Sequence, residues 1–175
     1  MITLDAIGYV KNGFKAKVSA ARIGYLAMLD EYFEADDLRE ILWKKEDRRS
    51  FIEAMTSDFL IKRLDKGRYL KMTDFFSFIS QDRVIEINPS INMMQMAVLE
   101  YVTKNEGCTI SQIAHFFDKE ETSLFNPLAS LERFGFIDVH REETGRRLKT
   151  HYPSKKLKEL ILSQTVNRTA CKVKS

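Results

Sequence analysis

The stretch Thr109-Ile110-Ser111-Gln112-Ile113-Ala114-His115-Phe116-Phe117 opens a run to Pro153 whose reading decides the fold. A polar turn follows it, then a short helical segment with a leucine-rich end. The run closes with Gly135, the apolar strand Phe136-Ile137-Asp138-Val139, a charged turn bearing Gly145, and a return strand ending at Tyr152-Pro153. Helix, helix and charged hairpin in that order make a pattern few other folds produce.

Length and composition narrow what surrounds this stretch. The 175 residues suffice for one domain or two small ones. No run approaches the roughly 20 apolar residues a membrane span needs, and no secretion signal is visible, so the cytosol, at the nucleoid, is the expected compartment. Cys108 and Cys171 form no C-x-x-C pair, so no disulfide framework, metal or cofactor is expected, and His115, His140 and His151 match no metal-site spacing. No Gly-rich phosphate loop, H-E-x-x-H motif or nucleophile elbow is present, which argues against an enzyme.

Net charge is only +3, but it is unevenly placed. Lys44 to Lys71 holds nine basic and five acidic residues, a net of +4, and Pro153 to Ser175 holds six and one, a net of +5. The remainder is acidic. Two basic islands on an acidic body are the footprint of a chain that meets phosphates in defined places.

Upstream of the deciding stretch, the alternation Phe14-Lys15-Ala16-Lys17-Val18 after Asn12-Gly13 predicts a hairpin over Ala6 to Val18. Ile23, Leu26, Ala27 and Asp30 predict a helix ending near Tyr32. Asp36 or Asp37 is placed to cap a second helix carrying Leu38, Ile41 and Leu42. A third helix, about Glu46 to Ser57, would bury Phe51, Ile52 and Met55 and present Arg48 and Arg49. Phe59 to Met72 then reads as a basic hairpin hinged at Asp65-Lys66-Gly67. Thr73 or Asp74 would cap a helix rich in Phe75, Phe76, Phe78 and Ile79.

Asn88-Pro89-Ser90 marks a break. Beyond it, Ile91, Met94, Val98 and Tyr101 share one face of a helix stopped by Asn105-Glu106-Gly107. The expected organisation is an N-terminal domain over 1–82, a linker over 83–92, a C-terminal domain over 91–164, and a basic disordered tail over 165–175. Because helices followed by a basic hairpin occur twice, both halves are expected to share one fold.

Over about Ile91 to Gln164 the chain resembles the winged helix-turn-helix regulators of the MarR, ArsR and PadR families. The resemblance implies a mainly α fold with small β-hairpin wings, here as tandem winged helices. Ile110, Ile113, Ala114 and Phe117 look like the bracing helix, and Glu121 to Phe134 like the recognition helix, with Thr122, Ser123, Asn126 and Ser130 turned outward. Asn can read adenine through a two-point contact. Asp118, Glu120 and Glu121 oppose phosphate, and Pro127 fits if Asn126 caps a shortened helix. Arg141, Arg146, Arg147 and Lys149 stand where a wing sends cations to DNA.

Double-stranded DNA is therefore the expected partner, held mainly by the first half's Lys44, Lys45, Arg48, Arg49, Lys62, Arg63, Lys66 and Arg68. A homodimer is implied by the family's terminal helices. The alternative is a tandem winged-helix module whose faces bind protein.

Overall fold

The computed structural model describes residues 5–72, 90–142 and 148–162. The chain folds as two compact units, Thr3–Met96 and Ala97–Ser175 with Met1–Ile2.

The first unit starts with helix α1, Ala6–Lys11, rather than the expected hairpin. Asp5 caps it by accepting from the Gly8 amide at 2.7 Å. The alternating residues that suggested a strand have a remote partner instead: Met94 and Met93 donate to the carbonyls of Ala16 and Val18, each at 2.9 Å. Helix α2, Ala20–Met28, is capped by Ser19 and buries Ile23, Leu26 and Ala27. It ends before Tyr32, which opens strand β1, Tyr32–Glu34, where a longer helix was expected.

Asp36 and Asp37 do not cap the next element. It is a 3-10 turn, Ala35–Glu40, with Glu34 and Asp37 bonded reciprocally as a capping box. Helix α3, Lys45–Ser57, buries Phe51, Ile52 and Met55 as expected. Strands β2, Ile61–Arg63, and β3, Arg68–Lys71, form the expected hairpin. Lys66 (φ 35°) and Gly67 (φ 87°) turn it in the left-handed region, which glycine enters without strain. β3 pairs antiparallel with both β1 and β2, giving the order β1-β3-β2.

Helix α4, Met93–Lys104, contains the boundary between the two units. Asn92 and Gln95 cap it reciprocally, each accepting from the other's amide at 2.9 Å. It is buried on nearly all sides, including Met93, Met96, Val98, Leu99 and Val102, where a single apolar face was expected. Strand β4, Cys108–Thr109, follows.

Helix α5, Ile110–Phe117, starts with a Thr109–Gln112 capping box and ends with Asp118 in the left-handed region. Helix α6, Glu121–Arg133, has Glu120 as its N-terminal cap, so Pro127 lies inside the helix and Asn126 is not a cap. A proline there leaves the Ser123 carbonyl without an intrahelical N–H. Strands β5, Ile137–Arg141, and β6, Lys149–Pro153, form the second hairpin, and the sheet order is β4-β6-β5. A last helix, α7, spans 155–162, with Leu157 buried.

Each unit thus runs helix, strand, helical turn, helix, hairpin, with the strand before the helical turn pairing to the far arm of the hairpin. In an α+β chain this is a winged helix-turn-helix order of elements, and the strand order of the first unit parallels that of the second. The expected phenylalanine-rich helix after Met72, the 83–89 part of the linker, and the 165–175 tail lie outside the described residues.

Candidate nucleic-acid interface

In the first unit the places that α6 and the β5–β6 hairpin occupy in the second unit's element order are taken by α3 and the β2–β3 hairpin. Between them lies a groove of about 760 Å3 lined by Lys45, Arg49, Thr56, Ser57 and Arg63, with Asp36, Glu46 and Glu53 also on its walls. Register explains which wing cations reach it. Arg63 pairs with Tyr69, and Tyr69 with Phe33, whose ring lies 5.6 Å from that of Tyr69, so these three share the face turned toward α3. Lys62 pairs with Leu70, which pairs in turn with Tyr32, on the opposite face. Lys66 stands exposed at the turn.

The eight basic residues expected here do not behave alike. Lys44, Lys45, Arg49, Lys62, Arg63, Lys66 and Arg68 are exposed. Arg68 grips Asp65 through two hydrogen bonds of 3.0 and 3.1 Å, and Arg49 lies 3.5 Å from Glu53. Exposed pairs of this kind contribute little and exchange readily for another anion.

Arg48 is a correction. It is 8% exposed, donates to the carbonyls of Leu42 at 2.8 Å and Trp43 at 2.9 Å, and lies 3.5 Å from Asp36. A guanidinium so engaged ties the loop before α3 to the helix and is not available to phosphate. Its spacing was the signal: Arg48 precedes Phe51, Ile52 and Met55 by three, four and seven positions, on the apolar stripe.

Lys71 is a second buried cation. It is 2% exposed, and its ammonium donates to the carbonyls of Leu26 at 3.1 Å and Ala27 at 3.3 Å, and to that of Leu29, closing the C-terminal end of α2. Burial pushes its pKa down, against the opposing pull of Asp30 and Glu31. Ile61 lies opposite it in register, on the core face of the sheet.

The second unit places its expected readers at the start of α6. Thr122, Ser123 and Asn126 are exposed and Ser130 is half-buried. Ser123 is already donating to the Glu120 carbonyl at 2.7 Å, and Thr122 lies 3.5 Å from the Glu120 carboxylate. Glu121 accepts from Ser111.

The helix–wing crevice of this unit, about 260 Å3, is largely apolar. Ile110, Phe125, Leu128, Ala129 and Val139 line it, with Arg141 and Lys149 at the wing and Glu132 opposite. Arg141 and Lys149 are exposed and face each other in register. Arg146 and Arg147 lie outside the described residues.

Cations on α7 are engaged locally. Lys156 donates to the Phe134 carbonyl at 3.1 Å, Lys158 pairs with Glu106 at 3.0 Å, and Lys155 with Glu159 at 3.7 Å. His151 is buried with Nδ1 3.0 Å from the Cys108 carbonyl oxygen, and burial raises the Cys108 thiol to about 11. No cluster of three or more metal-ligating side chains occurs among the described residues. None of the helices among the described residues is long and apolar enough to cross a membrane.

Sequence signals missed one exposed residue beside the groove. Trp43, the sole tryptophan, directly precedes Lys44 and Lys45 and is 75% exposed. An isolated Trp followed by two lysines at a helix start was the available signal.

No protein-family model matches the chain, and no curated protein does. Among solved structures the chain is similar to MarR at 24% identity, covering 45% of this chain and 58% of that one with a TM-score of 0.38. It therefore spans less than two thirds of that protein's length. It is similar to Streptococcus pneumoniae FabT, solved in complex with DNA, at 16% identity over 75% of this chain and 80% of that one, TM-score 0.42. It is also similar to Mycobacterium tuberculosis ScpB at 12% identity over 91% and 96%, TM-score 0.33. The fold assignment rests on the order of elements and strands in each unit rather than on these likenesses.

Proposed function

We propose that this chain binds duplex DNA as a transcriptional regulator, or as a replication or partition factor, and that its first winged helix holds most of the phosphate affinity. One observation carries this: Lys45 and Arg49 on α3 and Arg63 on the wing line a single groove at the recognition-helix position. Lys44, Lys66, Lys62 and Arg68 are exposed as well, the last two on the other face of the wing. A helix of α3's length enters a major groove, while wing cations meet the backbone beside it.

The second winged helix contributes Asn126, Arg141, Arg146, Arg147 and Lys149 as weaker contacts, with Thr122, Ser123 and Ser130 beside them. A homodimer, which the resemblance to MarR-type regulators implies, is the natural form of such a protein. The chemistry calls for no cofactor and no catalysis.

A second reading is favoured by the second unit's own crevice. Its apolar lining and the acids at the start of α6 suit a protein segment better than phosphate. In that case the chain is a winged-helix subunit of a larger assembly. An anisotropy titration of labelled mixed-sequence duplex, at low and then moderate salt, separates the two. Binding that weakens steeply with salt supports the DNA proposal; no binding at low salt rejects it.

A further inference from the structure

Trp43 and Phe59 are the two most exposed large apolar side chains among the described residues, at 75% and 78%. Phe59 sits beyond the far end of α3, next to Asp58. Trp43 sits at the near end, with Lys44 as the helix cap and Lys45 as the first helical residue. The Lys44 ammonium lies 5.6 Å from the centre of the indole ring.

The backbone beneath this ring is fixed. Buried Arg48 holds the Leu42 and Trp43 carbonyls, and Asp36 lies against the same guanidinium. A large ring on an ordered backbone, left in water, has little conformational freedom to lose when a partner covers it, which is the physical profile of an anchor.

The surroundings indicate the partner's chemistry. Cations run from Lys44 and Lys45 along α3 to Arg49 and across the groove to Arg63. Glu46 and Asp47 interrupt the run in the first turn of α3. A row spanning helix and wing fits a repeating polyanion rather than a single carboxylate. The indole adds a flat apolar face and one N–H donor, a match for a deoxyribose and its phosphate oxygen.

We propose that Trp43 is a DNA contact: its indole packs on a deoxyribose bordering the groove that receives α3, Nε1–H donates to a phosphate, and Lys44 and Lys45 meet the adjacent phosphates. This rests on the DNA-binding function proposed above.

The test uses the full chain. Because Trp43 is the sole tryptophan, indole emission reports this ring alone. Label anisotropy with a fluorescent mixed-sequence duplex and indole emission with the same duplex unlabelled are titrated in parallel at low salt. The expected result is a change in emission with the anisotropy midpoint, and a Trp43→Ala variant of unchanged circular dichroism that binds about tenfold more weakly. Saturating anisotropy with unchanged emission, or wild-type affinity in Trp43→Ala, overturns the contact while leaving DNA binding intact. The same emission change and midpoint with a poly-glutamate peptide of matched charge overturns it as well, since the ring would then respond to any polyanion. Absence of anisotropy change overturns both this contact and the DNA-binding function.

Discussion

Arg48 donates from a buried guanidinium to the main-chain carbonyl of Leu42, 2.8 Å away, although it sits between four exposed residues, Glu46, Asp47, Arg49 and Ser50. Removing Arg48 leaves the Leu42 and Trp43 carbonyls without their donor and opens space beside Phe51 and Ile52. Arg48→Ala should lower unfolding free energy by about 2–4 kcal/mol. Arg49→Ala, exposed and paired with exposed Glu53, should change it by less than about 0.5 kcal/mol. Urea denaturation of the two variants measures the difference, and equal costs would contradict the assignment of Arg48 to the fold.

Lys71 predicts a pH dependence. Its folded pKa is lowered from the ordinary 10.5, chiefly by burial. Between that lowered value and 10.5 the unfolded chain binds a proton that the folded chain does not, so Lys71 makes stability rise with pH across this window. Lys71→Met removes the titrating group. Unfolding free energies measured from pH 8 upward should show a rising contribution in the wild type relative to the variant; parallel curves would show that Lys71 is not destabilised by its burial.

Pro127 inside α6 predicts a gain rather than a loss. Pro127→Ala restores an N–H within reach of the Ser123 carbonyl and removes the ring's clash with that turn. The variant gains chain freedom when unfolded, which offsets part of the benefit. A net stabilisation of about 1–2 kcal/mol is expected from thermal melts. A lower Tm would mean that this helix is bent around its proline by packing that alanine cannot maintain.

The sequence displayed the second winged helix more plainly than the first, for physical reasons. Thr109 and Gln112 form a local capping box, and the partners β5 and β6 are neighbours in the chain, so short-range pattern and structure coincide. At Phe14 to Val18 the pattern was equally clean, but the hydrogen bonds go to Met93 and Met94, far along the chain, and no hairpin forms. The misplaced Asp36 and Asp37 cap has a similar origin, because Glu34 caps the turn two residues before the first of these aspartates.

Of the candidate interface, the cation positions were legible, but their orientation was not. Lys62 and Arg63 are adjacent in sequence yet lie on opposite faces of the sheet, a consequence of strand alternation that charge counting ignores. Arg48 and Lys71 look like surface charges in composition and are the two most deeply buried cations described. Helical and strand periodicity places both on core faces, which is where burial could have been read.

The salt dependence of duplex affinity in two charge-reversal variants, with the fold of each checked by circular dichroism, decides which unit holds DNA. One variant carries Lys45→Glu, Arg49→Glu and Arg63→Glu in the first winged helix, and the other Arg141→Glu and Lys149→Glu in the second. DNA held mainly by the first winged helix predicts at least a tenfold loss and a flatter slope of log affinity against log salt in the first variant, with a smaller change in the second. Wild-type affinity and slope in the first variant, or the larger loss in the second, would contradict it.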